Sequence, residues 1–118
     1  MNIISDGENV TGAASGMAKE KFKIRDRHYK VKDVKLHKRL LGDCTNDGNI
    51  RINNRLKGKL YEATKLHEIL HGCVFEYSKY DHDDDMVEDV VYAIEKGLRN
   101  VARHNPAGWL ILANRLTK

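Results

Sequence analysis

Two histidines and a glutamate, His67, Glu68 and His71, are the residues of this chain whose types and spacing best suit chemistry. Residues four apart on an α-helix lie on the same face, so the two imidazoles could bind one metal ion. The glutamate beside the first histidine could then act as general base toward a water molecule at that ion. For this composition chance supplies roughly 0.02 such matches, so we interpret the pattern as a hydrolytic metal site rather than as a solvated helix surface.

The segment around these residues has the periodicity of a helix. From Leu60 to Tyr77 the apolar residues recur mainly at steps of three and four, and no proline interrupts them. Gly72 lies inside this helix, where glycine is tolerated if another segment packs close to the backbone. A second helix is predicted to begin in the acidic run that follows, because the apolar residues from Val87 onward recur at the same steps.

A catalytic zinc ion usually takes three protein ligands, so the two histidines need a partner. The acidic run supplies the candidates. Glu88 lies in the second turn of the second helix, beside its apolar stripe, and could point toward the histidines. His82, Asp85 and Asp89 are the alternatives, either as ligands or as residues that orient a histidine. The aspartates that precede Met86 would also cap the helix and interact favourably with its dipole.

This arrangement resembles the gluzincin branch of the zincins, in which H-E-x-x-H on one helix is joined by a Glu on the next. The resemblance implies that His67, His71 and Glu88 hold Zn²⁺ and that Glu68 is the catalytic base. It extends, over about residues 20–112, to short metallopeptidase-like proteins often encoded by phages and prophages. We therefore expect a zinc metallopeptidase acting on a protein or peptide substrate. The alternatives are a zinc-binding interaction module without catalytic activity and a basic phage protein that binds nucleic acid.

Two supporting roles are left open by the sequence. Gluzincins often carry an Asp four residues after the ligand Glu to orient a histidine, but that position is Tyr92. The residue that stabilises the oxyanion is not assigned. Its candidates are Tyr77, Tyr80, Tyr92, His82 and His104.

The residues that precede the helices have the alternation of strands. Two half-buried strands are predicted within residues 21–36, and a third at residues 49–53, entered through the tight turn Asn46-Asp47-Gly48. We predict an α+β fold of minimal zincin-like type: a mostly antiparallel, three- to four-stranded sheet packed on the H-E-x-x-H helix, with one or two further helices. The substrate is expected to lie along an edge strand, for which the strand containing Arg51 is the candidate.

The length and composition indicate one domain. The chain has 118 residues, of which 41% are hydrophobic and 32% are charged. Residues 1–16, rich in small and polar residues, are predicted to form a flexible tail, and residues 17–118 the single domain. Asn105-Pro106 should begin a last helix that packs on the sheet or on the first helix. Neither a membrane span nor a secretory signal is visible, so we expect a cytoplasmic protein, in the host cytoplasm if it is phage-encoded.

Charge is distributed unevenly along the chain. Residues 19–59 carry 14 Lys plus Arg and 5 Asp plus Glu, whereas residues 60–118 carry 7 and 10. Lysines that alternate along a strand are typical of a solvated face that discourages edge pairing. Nucleic-acid binding is the alternative interpretation of this basic half.

Overall fold

The computed structural model describes residues 18–79 and 85–118. Within these residues four strands form one sheet, and three helices follow them in the chain. The strands are β1 (Ala18–Ile24), β2 (Arg27–Val34), β3 (Gly42–Thr45) and β4 (Asn49–Asn53), and the helices are α1 (Gly58–Tyr77), α2 (Asp85–His104) and α3 (Pro106–Leu116). The predicted tail, residues 1–16, lies outside the described residues.

The sheet is mixed, with the order β1-β2-β4-β3. β1 pairs with β2 and β3 with β4 in antiparallel fashion, whereas β2 and β4 are parallel. The prediction of an α+β fold with up to four strands and two further helices is confirmed. β3 was not predicted, and it is an edge strand. Arg51 lies on β4, which has a neighbour on both sides, so its assignment to an edge strand was wrong.

One face of the sheet packs against α1 and forms the core. Alternation along the two central strands places four fully buried side chains on that face: Tyr29, Val31, Ile50 and Ile52. Burial of each such side chain contributes about 1.5 to 3 kcal/mol. Gly72 allows the close approach of α1, because a Cβ there would lie 2.8 Å from Cδ1 of Ile24 and 3.3 Å from Cε2 of Tyr29. The interpretation of this glycine as a packing position is therefore confirmed.

The side of α1 that is buried differs from the predicted apolar stripe. The buried residues of this helix are Ala63, Thr64, Glu68, His71 and Gly72. By contrast, Leu60 is 48% exposed and Tyr77 is 67% exposed, so the ends of the expected stripe do not enter the core. Because α1 lies between the sheet and α2, it buries the polar residues that face the site together with small residues that permit close packing.

The helices α2 and α3 bury few of their own residues. α2 buries Val87, Val91 and Glu95, at steps of four, and its first-turn acids are Asp85 and Glu88. α3 buries no residue, and its main contacts are with α2, so the expectation that it packs on the sheet or on α1 was wrong. In the parts of the chain that the structure describes, no helix combines the length and apolar character needed to cross a membrane.

Candidate metal centre

The two histidines of α1 lie one helical turn apart on the side that faces α2. Their ring centroids are 5.0 Å apart. The side chain of His71 is 8% exposed and that of His67 is 15% exposed, so both imidazoles are largely removed from water. The i, i+4 spacing therefore presents two ring nitrogens to the same small volume, as the sequence predicts.

Glu88 brings its carboxylate to both imidazoles from α2. Its Oε1 lies 2.7 Å from Nε2 of His67, and its Oε2 lies 2.9 Å from Nε2 of His71. Each of the three residues offers a donor atom, and these atoms lie within 4.8 Å of one another. Two imidazole nitrogens and a carboxylate oxygen thus converge from two helices that are separate in the sequence.

The dimensions of this cluster suit a metal ion. In a tetrahedral site with bonds of about 2.0 to 2.1 Å, neighbouring donor atoms lie about 3.4 Å apart. A small outward movement of the Glu88 carboxylate would produce that spacing. The Glu88 side chain is 55% exposed, so the cluster is open toward solvent on this side. A bound ion would have room there for a further ligand that the protein does not supply.

The other sequence candidates are not part of the converging cluster. Asp85 and Asp89 are exposed residues of α2 and are not among the three residues whose donor atoms converge. His82 lies outside the described residues.

Glu95 contacts the outer ring nitrogen of His67, a role that the sequence analysis missed. Its Oε1 is 3.6 Å from Nδ1 of His67, and the residue is 5% exposed. Arg99 Nη1 donates a hydrogen bond of 2.7 Å to the second carboxylate oxygen of Glu95. A carboxylate that accepts a hydrogen bond from this nitrogen would fix the tautomer and orientation of a metal-binding imidazole, and at 3.6 Å Glu95 is slightly beyond that distance. The available signal was its position seven residues after Glu88, on the same face of α2.

Glu68 is buried beside the cluster, between α1 and the edge of the sheet. It is 7% exposed. Its side chain lies close to Gly42 at the start of β3, since a Cβ added to that glycine would be 3.6 Å from Cγ of Glu68. Burial raises the pKa of the Glu68 carboxyl to about 8, and the negative charges of Asp43 and Glu88 add to this effect. A cation held by the neighbouring donors would stabilise the ionised form and lower this pKa.

A cleft with a volume of about 480 Å³ opens over these residues. Its wall is formed by Leu41 and Gly42 at the edge strand, by α1 and by α2. Tyr92 lines the cleft, and of the candidates for stabilising an oxyanion it is therefore the one that the geometry favours. Tyr77 and His104 do not line it, while Tyr80 and His82 lie outside the described residues.

No protein-family model, curated protein or solved structure matches this chain. The class of protein is therefore defined by its own fold and site. It is an α+β domain with a mixed four-stranded sheet and a candidate His-His-Glu metal centre at the edge of that sheet.

Proposed function

We propose that this protein is a zinc-dependent metallopeptidase of minimal, gluzincin-like type. The observation that carries the proposal is the convergence of His67, His71 and Glu88 beside the buried carboxylate of Glu68. Two neutral imidazoles and one carboxylate form a donor set that catalytic zinc commonly uses, and the exposed side of Glu88 leaves an open position. A site with four protein ligands would instead indicate a structural metal.

The residues of the site would have separate roles in metal binding and proton transfer. His67 and His71 would bind the metal through Nε2, and the Glu95 carboxylate lies near the other ring nitrogen of His67, where it could orient the imidazole. Zinc, when bound, lowers the pKa of a water molecule toward about 7 and polarises the carbonyl of the scissile amide. Glu68 accepts a proton from the attacking water and transfers it to the leaving amine. Its burial suits this shuttle, because burial favours the protonated carboxyl whereas a neighbouring cation favours the ionised form, so that both forms are accessible.

The substrate would be an extended peptide segment that lies along β3. Among the described residues this strand pairs only with β4, which leaves backbone groups on its outer edge for pairing, and Leu41 and Gly42 line the cleft beside it. A Cβ at Gly42 would be 2.7 Å from the carbonyl oxygen of Arg51 and 2.9 Å from Cγ2 of Thr64. The strand therefore needs glycine here to approach α1 closely enough to bring a bound peptide to Glu68.

Elemental analysis of the full chain, purified without chelator, tests the metal site. We expect about one zinc per chain, and loss of zinc in His67→Ala. The matched control is His104→Ala, which removes an exposed histidine at the end of α2. If the wild-type protein neither contains zinc nor takes it up when it is added, the proposal is wrong.

Cleavage is tested with a library of fluorogenic peptides. Glu68→Gln should retain zinc and lose hydrolysis, because the amide cannot accept the proton of the attacking water. Activity retained by that variant would remove Glu68 from the mechanism. Zinc bound by four protein ligands, together with no cleavage by the wild-type protein, would favour the interaction module.

A further inference from the structure

A group of lysines occupies the face of the sheet that is opposite to α1. Because Phe22, Tyr29 and Val31 face α1, the residues that alternate with them face the other way. We call this surface the lysine face and define it by four residues: Lys21, Lys23, Lys30 and Lys32. Three of these side chains are exposed and that of Lys32 is half-buried.

The register of the strands places positive charges directly beside one another on this surface. Lys21 is opposite Lys30 in the β1–β2 pair, and Lys32 is beside Arg51 in the β2–β4 pair, where the charge of Arg51 is shared with Asp43. Like charges in directly opposite positions destabilise a sheet. A surface that served only to remain solvated would be more stable with mixed charges. The sequence therefore keeps an arrangement that is unfavourable for the fold alone.

Acidic residues of the same strands do not neutralise the lysine face. Glu20 and Asp33 lie on the α1 side, where they contact Lys65 and the hydroxyl of Tyr61. Asp43 is on the lysine side but pairs with Arg51. Among the described residues, none forms an ion pair with any of the four lysines. Asp26 and Asp47 lie in the turns at one end of the sheet, and Asp47 is held by Thr45 and Asn49.

We infer that the lysine face binds the phosphate backbone of double-helical DNA, independently of base sequence. The backbone positions of lysines two apart on a strand are about 6.7 Å apart, and neighbouring strands are about 4.8 Å apart, so the four lysines are closely and regularly spaced along the sheet. Duplex DNA presents one negative charge per about 1.7 Å of its axis. The aromatic side chains Phe22 and Tyr29 face α1 and cannot stack on bases, which favours a duplex over a single strand.

Binding at this surface would leave the candidate metal centre accessible. The cleft with His67 and Glu68 lies between α1, α2 and the β3 edge of the sheet, whereas the lysine face is on the opposite side of the sheet and belongs to β1 and β2, toward the other edge. The protein could therefore bind DNA through the lysine face while the cleft remains open to a substrate. The inference does not depend on hydrolysis, and His67→Ala should bind DNA as the wild-type protein does.

Fluorescence anisotropy of the full chain with labelled duplex DNA tests the inference over a series of salt concentrations. If four phosphates are contacted, the slope of log affinity against log salt should be about −3.6, so that a fourfold rise in salt weakens binding by about two orders of magnitude. Changing all four lysines of the face to Gln should weaken binding at low salt by at least about tenfold and remove most of that slope.

A matched control removes the same charge elsewhere. It changes four exposed lysines outside the face to Gln: Lys57, Lys59, Lys79 and Lys118. We expect this variant to bind DNA with at least about half of the wild-type affinity. Changing the four face lysines to Arg preserves charge and should preserve binding, which separates loss of charge from loss of folding.

Equal losses in the Gln variants of the two sets would overturn the inference. Tighter binding of poly-glutamate than of duplex DNA would overturn it in favour of an acidic protein, and tighter binding of duplex RNA would overturn it in favour of RNA.

Discussion

Glu95 of α2 lies against the outer ring nitrogen of His67, with Oε1 3.6 Å from Nδ1, and is itself buried. Arg99 donates a hydrogen bond to the other carboxylate oxygen of Glu95. A small movement that shortens the contact with His67 to a hydrogen bond would fix the tautomer and orientation of its imidazole. This contact also links the candidate metal centre to a residue that lies two helical turns beyond the nearest ligand.

Glu95→Gln should weaken zinc binding without removing a ligand. An amide carries no charge to increase the basicity of His67, and we expect the affinity for zinc to fall by about 10- to 100-fold. Competition with a chromogenic chelator measures this change. Glu62→Gln, which alters an exposed acid of α1, is the matched control and should leave the affinity unaltered. Equal affinity of Glu95→Gln and wild type would contradict the orienting role.

Glu88→Gln should weaken zinc binding by more than about 100-fold, because it replaces a ligand rather than a residue that supports one. Asp89→Asn changes the neighbouring, exposed acid and should have little effect. His82→Ala and Asp85→Asn extend the comparison to the remaining sequence candidates. A larger loss in any of these three variants than in Glu88→Gln would identify a different third ligand.

The metal-free protein should lose stability relative to Glu68→Gln as pH rises. The pKa of the Glu68 carboxyl is about 8 in the folded protein and 4.5 when it is unperturbed, as in the unfolded chain, so its contribution is fully present below pH 4.5 and is lost as pH approaches 8. The full window corresponds to roughly 5 kcal/mol. Gln is neutral at every pH and escapes this loss. Urea unfolding of both proteins in the presence of chelator, across this range of pH, measures the difference. Parallel profiles would show that the Glu68 carboxyl is not perturbed.

Gly72→Ala and Gly97→Ala should change stability in opposite directions. Both glycines are inside helices, where Ala is favoured by about 0.5 to 1 kcal/mol. At Gly97 no atom lies within 4 Å of an added Cβ, so this gain should be realised. At Gly72 the Cβ would contact Ile24 and the buried ring of Tyr29, and repacking costs about 1 to 3 kcal/mol. Thermal unfolding of both variants checks the prediction. A stabilised Gly72→Ala would show that α1 can move away from the sheet at little cost.

The convergence of His67, His71 and Glu88 could be predicted from the periodicity of the two helices. The i, i+4 spacing alone places His67 and His71 on one face, and the start of α2 at the acidic run brings Glu88 into reach. It was harder to predict which residues of α2 point into the interior of the protein. Glu95 was overlooked because the predicted apolar stripe left no reason to bury an acid there, whereas the packing of α2 on α1 does bury it.

The edge strand could not be predicted because its residues carry little strand signal. Gly42 and Asp43 are typical of turns, and their extended conformation depends on pairing with β4. The burial of the apolar stripes of the helices was overestimated, because burial also depends on tertiary packing. Val90 and Ile94 are about half exposed, although α2 packs against α1 and contacts α3. Such tertiary contacts are not encoded in the periodicity of a single segment.

The donors of the candidate metal centre come from two helices, so an ion bound there would connect α1 to α2. The buried residues of α2 are Val87, Val91 and Glu95, so the apolar contribution to its docking is small. An ion that binds only the folded arrangement stabilises it by about 2.7 kcal/mol at a free concentration of 100 times its dissociation constant. The stability with which α2, and α3 with it, packs on α1 would then depend on the concentration of free metal in the surrounding cell. Withdrawal of zinc would expose α2 to proteases before the sheet unfolds, and the lifetime of the protein would report metal availability.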